Sequence, residues 1–300
     1  MDGFINVLKP PGMTSHDVVS FVRRTIQQKK AGHTGTLDPG VAGVLPVCVG
    51  KATRLSEYIM EQSKSYRGEI TFGRATDSQD AYGNVLFEKD CSQLQYEDFL
   101  KIIPSFMGPI QQLPPMTSAV RVDGKRLYEL ARKGLDVERG HKNVIIHSID
   151  IIYKDWCQPN PRVIFDIVCS KGTYIRTLCH DIGMKLGTGA YLSFLIRTKT
   201  AGFHIHNAYT LEEITSMVTA QDESFVVSME EGIFFIPSII VEQEQEKELQ
   251  NGKSILLPLG HYQVNCIYQT QDLNQKLIAL GRITMNETNN FIFRPLKVFR

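Results

Sequence analysis

Two hydrophobic rhythms alternate along this chain and mark out its elements. Residues 3–8 (GFINVL) form a short apolar run that stops at Lys9-Pro10-Pro11-Gly12, which predicts a strand closed by a turn. Thr14 and Asp17 form a capping-box-like pair, and Val18, Phe21, Val22 and Ile26 recur at helical spacing towards a stop near Gly32. The continuous apolar run at 44–49 predicts a buried strand. A helix is expected over 51–61, and Tyr66, Gly68, Ile70 and Phe72 alternate as in a half-buried strand. Residues 96–107 read as a helix. Asp123-Gly124 reads as a hairpin turn, followed by a short helix face of Leu127, Leu130 and Ala131 that Gly134 stops. Alternation returns at Val163, Phe165, Ile167 and Cys169, and helical spacing at Ile175, Leu178, Ile182 and Leu186, ended by Gly187. Thr210 with Glu213 is a second capping box, opening an acidic helical linker expected to run to about residue 232. Beyond it, IFFIPSIIV, a Glu-rich helix at 242–250, an Asn251-Gly252 turn and short apolar runs predict a small strand-rich unit.

With 300 residues, 42% of them hydrophobic, the chain can bury a substantial core and has room for one large and one small domain. A formal net charge of +1 gives no overall field that would announce an RNA or membrane partner. Locally the balance is uneven: residues 9–76 hold ten Lys/Arg against five acids, and residues 207–250 hold ten acids and one lysine. A basic face of the first kind attracts phosphate, although a solvated mixed-charge surface gives the same tally. The six cysteines lack CxxC spacing, which argues against a metal site and a disulfide framework, and Cys179 beside His180 reads as a core thiol. The first residues lack a basic region followed by an apolar run, and no apolar segment approaches the length of a membrane span, so a cytoplasmic protein is expected.

Residues 32–46, GHTGTLDPGVAGVLP, combine four glycines and two prolines with one histidine and a single carboxylate, Asp38. Glycine permits backbone angles other residues avoid and lets a ligand approach the main chain, so a lone acid here suggests a shaped site. A tight turn feeding the 44–49 strand fits the same residues. The full string closely resembles the catalytic motif of the TruB family of pseudouridine synthases, GHTGxLDPxxxGxLP, with every fixed position filled. KPPGMTS at 9–15, KSYR at 64–67, GRATDSQDAYGN at 73–84 and PPMTSAVRVDGKRLYELARKG at 114–134 resemble further segments of that family. So do KGTYIRTL at 171–178 and GAYLSFLIRTKTAGF at 189–203.

The resemblance implies that Asp38 is the nucleophile, that Tyr66 stacks on the target uracil and can serve in proton removal, and that Arg176 pairs with Asp38. It implies a substrate-binding set of His33, Asp80, Tyr174, Leu195 and Lys9. In that set His33 fills the space of the extruded base, Lys9 supports the loop, Asp80 with Asp77 holds loops or substrate, and Leu195 walls the uracil pocket with Arg197 nearby. The implied fold is α+β: a mixed, largely antiparallel central sheet with flanking helices over residues 1–232, then a PUA-like β-barrel over 233–300. The chain's end, FRPLKVFR, resembles the close of that second domain. Residues 121–142, with seven Lys/Arg against four acids, correspond to a mobile segment that closes over RNA.

Converting uridine to pseudouridine breaks the bond from ribose to base nitrogen, turns the base and rejoins it through carbon. A dry pocket favours a neutral aspartate, and an arginine within a few ångströms favours the carboxylate, so Asp38 with Arg176 meets the need. Attack at the ribose anomeric carbon or on the uracil ring, and final proton removal by Tyr66 or by water, both remain open at this level. The expected activity is isomerisation of uridine 55 in the TΨC loop of tRNA by base flipping, by a monomer without metal or cofactor. The competing readings are a guide-RNA-dependent relative and a non-catalytic tRNA-binding or tRNA-folding protein.

Overall fold

In the computed structural model, which describes residues 1–118, 120–122, 124–131, 133–135, 137–258 and 260–299, ten strands build one large sheet. They are β1 (Gly3–Lys9), β2 (Ala31–His33), β3 (Ala42–Val49), β4 (Lys64–Phe72), β5 (Gly108–Gln112), β6 (Lys142–Asp155), β7 (Arg162–Cys169), β8 (Ala190–Thr200), β9 (Phe203–His204) and β10 (Val226–Val227). Their order is β10-β1-β3-β8-β4-β7-β6-β5, with β2 on β3 and β9 on β8. All ladders of this sheet are antiparallel except β3 with β8, which run parallel at the pairs Ala42 with Ile196 and Gly43 with Arg197. A mixed, largely antiparallel sheet with flanking helices is therefore what the chain forms.

Between β10 and β3, strand β1 is buried at nearly every position, which is why its sequence reads as a continuous apolar run rather than an alternation. Helix α1 (Ser15–Thr25) starts at a reciprocal capping box: the Asp17 amide donates to Thr14 Oγ1 (3.1 Å) and the Thr14 amide to Asp17 Oδ2 (2.9 Å). Its buried face, Val18, Val19 and Val22, packs against Leu45 and Val47 of β3. Helix α2 (Ile175–Lys185) buries Ile175, Leu178, Cys179 and Ile182 against Phe165, Ile167 and Ile70.

Two expectations change in detail, and the hairpin near residue 124 forms as expected. Residues 51–61 fold as a 3-10 turn, Gly50–Leu55, followed by the short helix Ser56–Met60. The acidic linker is not helical throughout: helix α3 (Leu211–Thr219) gives way to β10, where Val227 pairs with Phe4 and Val226 with Ile5. A two-residue strand carries no period to read; the buried Phe225 beside it fixes its place. In the segment after residue 113, Arg121–Val122 pairs with Lys125–Arg126 as a hairpin, and Leu127 and Leu130 are buried. Asp123 of the expected turn, with Arg132 and Asp136 of the charged stretch, lies outside the described residues.

Arg74–Thr76 pairs with Val85–Glu88 as a separate hairpin, whose connection carries Asp77, Asp80 and Tyr82. Strands β11 (Ser238–Ile240), β12 (Ile255–Leu256), β13 (Ile267–Gln271), β14 (Leu277–Met285) and β15 (Phe291–Val298) form a second large sheet in the order β11-β13-β14-β15-β12. Helix α4 (Gln243–Gln250) packs its buried Leu249 into the apolar core of this sheet, with Ile278, Ile283 and Phe293. The strand-rich character holds, with β11 and β12 at the two ends of the sheet. A further cluster joins Phe4, Val44, Leu55 and Phe203 to Leu277, Leu280 and Phe299, so both sheets share it. At its rim Arg54 Nη1 donates to the Val298 carbonyl at 2.6 Å.

Candidate active site

The loop from Thr34 to Val41 connects the end of β2 to the start of β3, next to the parallel pairing of Ala42 and Gly43 with β8. Each of its ends is tied to the scaffold by the main chain. Thr34 donates its amide to the Pro46 carbonyl (3.1 Å), the Val41 amide closes a turn onto the Asp38 carbonyl (3.0 Å), and Gly12 donates to the Pro39 carbonyl (2.8 Å). From α1, Ser15 Oγ accepts from the Leu37 amide at 2.9 Å. Lys9 is fully buried, and its ammonium donates to the carbonyls of Pro10 (2.9 Å), Pro39 (3.1 Å) and Val41 (2.7 Å). Burial lowers Lys9 from 10.5 to about 8, with the negative charge of Asp38 opposing the shift. This residue holds the loop, and it does so from inside rather than by facing a substrate.

Arg197, on β8, is buried against the opposite side of the loop. Its Nε donates to the Val44 carbonyl (2.7 Å) and its Nη2 to the Gly35 carbonyl (3.2 Å), and its charge is felt by the Tyr66 phenol. Gly43 makes this approach possible: its φ is +115°, and a Cβ there would lie 2.2 Å from the Arg197 carbonyl oxygen. Burial is also the main force on Tyr66, raising its phenol above 10, and Arg197 pulls it back. The Tyr66 ring packs between the two cores on either side of the sheet's junction.

Asp38 meets Arg176 at 2.9 Å between Oδ2 and Nη2. The arginine comes from the first turn of α2 and is nearly buried, at 7% side-chain exposure, whereas Asp38 is 45% exposed. Nη1 of Arg176 donates to Thr117 Oγ1 (2.6 Å) and the Ser78 carbonyl (3.1 Å), and lies 3.4 Å from Asp80 Oδ2. The guanidinium is thereby clamped between two carboxylates and presents one of them to solvent. Asp80 is fixed in turn, accepting from Ser78 Oγ (2.6 Å) and the Tyr82 amide (3.0 Å). Asp77 instead accepts both the amide and the side-chain amide of Asn84, at 2.9 and 3.0 Å, which is turn chemistry away from Arg176.

A cleft of about 650 Å³ opens over this pair, and Asp38, Asp80, Arg176 and Leu195 all line it. Tyr66, Tyr174, His33 and Lys9, the other sequence-derived site residues, are not among the residues that line it. Tyr174 occupies the N-cap of α2, where the buried Gln112 side chain bonds both its amide (2.9 Å) and its carbonyl (3.1 Å). Burial raises its phenol too, with Asp38 close enough to be felt. His33 sits at the end of β2, where its Nδ1 accepts the Gly35 amide at 3.3 Å and burial lowers its pKa below 6.5. Thr117, Ser78 and Gln112 were not singled out by the sequence, because a hydroxyl, a carbonyl and a core amide have no spacing rule of their own.

A family model described as the TruB family pseudouridylate synthase N-terminal domain matches residues 23–175, and one described as the tRNA pseudouridylate synthase B C-terminal domain matches residues 176–233. The chain belongs to the TruB family. Among relatives of that family, the tRNA pseudouridine synthase B of Symbiobacterium thermophilum is 59% identical over 72% of both chains. The tRNA pseudouridine synthase B of Moorella thermoacetica is 44% identical over 99% of both. A solved Cbf5-Nop10-Gar1 complex contains a chain with a TM-score of 0.77 and 26% identity, aligned over 99% of this chain and 85% of that one. This TruB-family chain thus carries the pseudouridine synthase fold, with its acid and arginine joined at the mouth of one cleft.

Proposed function

We propose that this protein isomerises uridine to pseudouridine in tRNA, at position 55 of the TΨC loop, with Asp38 as the nucleophile. The observation that carries the reading is the Asp38–Arg176 pair at 2.9 Å, half-open to a cleft large enough for an extruded base. Arg176 aims the carboxylate, and Asp80 and Thr117 keep the arginine from swinging into solvent. Leu195 supplies an apolar wall and Tyr66 the ring on which the uracil rests, while Lys9 and Arg197 hold the loop that carries the nucleophile. Burial raises the Tyr66 phenol, and the final proton on carbon leaves through Tyr66 or through water. His33 stands beside the loop as the wedge for the vacated space, and Tyr174 borders the site.

In this reading residues 1–232 form the catalytic domain and residues 233–300 a PUA-like barrel that binds RNA, and the protein works as a cytoplasmic monomer. The segment near 121–142 closes over the bound loop. Among the described residues no helix is long and apolar enough to cross a membrane.

The test uses unmodified tRNA carrying tritium at uracil carbon 5, because joining that carbon to ribose expels its hydrogen. Wild-type protein is expected to release tritium, and Asp38→Asn to fall below about a thousandth of that rate. Equal release by both, or none by the wild type on folded tRNA, rejects the assignment.

A further inference from the structure

The cleft above Asp38 is walled by two large rings that the chemistry just described does not use. Tyr82 is 81% exposed and Phe194 is 51% exposed, and both line the same cleft as the Asp38–Arg176 pair. Single exposed aromatics are ordinary on a protein surface, but two on the rim of one functional cleft are not scattered. We propose that Tyr82 and Phe194 are stacking surfaces for the unpaired nucleotides next to the target uridine. The inference rests on the RNA substrate proposed above.

Both rings are built into place. The Tyr82 amide is anchored on Asp80 Oδ1 at 3.0 Å, the same carboxylate that faces Arg176. Its ring lies over Gly40, two residues beyond the nucleophile, where a Cβ would come within 2.7 Å of ring carbon Cε2. Phe194 follows a break in the pairing of β8 with β4: Leu192 faces Ile70 and Phe194 faces Glu69, which leaves Ser193 as an extra residue. Ser193 Oγ is held between Thr71 Oγ1 (2.9 Å) and Glu69 Oε1 (2.6 Å). A regular strand sends successive side chains to opposite faces, yet Leu192, Ser193, Phe194 and Leu195 all line the cleft. The bulge is what turns Phe194 out beside Leu195.

The chemistry of the rings selects the occupant. Extruding one base from a loop leaves its neighbours with an unstacked face. An exposed aromatic ring replaces that stack whatever the base. A cleft of about 650 Å³ is also larger than one flat base requires.

The experiment uses the full-length protein and a TΨC stem-loop RNA with 5-iodouridine on either side of the target, followed by irradiation and peptide mapping. Crosslinks are expected at Tyr82 and Phe194. In parallel, Tyr82→Ala and Phe194→Ala are each expected to raise the Kd for the stem-loop about tenfold, with a larger effect on KM than on kcat. Tyr82→Phe restores wild-type binding because the ring, not the hydroxyl, stacks. Leu86→Ala, on the same hairpin but outside the cleft, is the control and binds as wild type. Crosslinks elsewhere, or Kd values within twofold of wild type for both alanine variants, overturn the inference and leave the rings as a surface for something other than RNA. If the wild type fails to isomerise the target uridine in the same tubes, it is the proposed function that falls.

Discussion

Arg176 and Arg197 flank the same loop, and they live in opposite surroundings. Arg176 stands between two carboxylates, Asp38 and Asp80, at the edge of solvent. Arg197 is buried, with the main-chain carbonyls of Val44 and Gly35 accepting from it, and burial lowers its pKa below that of an exposed arginine. The first arrangement holds a reactive side chain while leaving it reachable. The second holds the backbone that carries it, at the cost of desolvating a cation that pairs with no carboxylate among the described residues. One loop therefore has a wet clamp on its acid and a dry clamp on its main chain.

The sharpest way to break this contrast is to change the wet clamp alone. Arg176→Lys keeps the charge but replaces a planar fork by a point donor that cannot serve Asp38, Thr117 and the Ser78 carbonyl together. Single-turnover isomerisation should fall about a hundredfold through misplacement of the carboxylate, with thermal unfolding little changed. A rate within threefold of wild type removes Arg176 from its positioning role.

The dry clamp should fail differently. Arg197→Met leaves the carbonyls of Gly35 and Val44 without their donor, offset in part by relief of the buried charge. A net loss of about 2 kcal/mol is expected in urea unfolding, accompanied by loss of activity at temperatures where the protein is still folded. An unchanged midpoint would mean that the loop does not depend on this cation.

The smallest effect comes from pH. The folded-state pKa of Lys9, about 8, lies below the 10.5 of an exposed lysine, so folding disfavours its protonated form. That cost is fully present below pH 8 and is relieved as pH rises towards 10.5, because over that window the unfolded chain holds more protons than the native one. Stability contributed by this group should therefore rise by about 1 kcal/mol between pH 8 and 9, and Lys9→Met should lack the rise. Deprotonation also removes one of three donors to the loop carbonyls, so activity should drop over the same range. Parallel pH profiles of stability for the two proteins would contradict the assignment.

Much of this design is readable in the chain before any coordinates. Capping boxes at Thr14 and Thr210, the run of β1 and the alternation of β7 have local causes and fold as the residues imply. Asp38 and Arg176 come from two motifs 138 positions apart, and it is the resemblance of the motifs rather than their spacing that pairs them. Strand β8 has no clean alternation because pairing shifts at Ser193 and again after Arg197, and each shift resets which side chains face which way. Strand β10 is too short to show a period. Lys9 looks like a surface lysine at a strand end, and only the folded loop supplies two of the three carbonyls, Pro39 and Val41, that justify its burial. Thr117 and Gln112 depend on long-range contacts that no local pattern encodes.

The apolar cluster that joins the two sheets bears on how the chain can be divided. Phe4, Val44 and Leu55 from one side and Leu280 from the other are all completely buried in it. A cut at residue 232 would leave the first three facing water, so a truncated catalytic fragment is expected to aggregate rather than work alone. The C-terminal sheet is not detachable cargo. Heat should melt both sheets in a single transition, and changes at Phe299, far from Asp38 in sequence, should register as lost solubility of the whole enzyme.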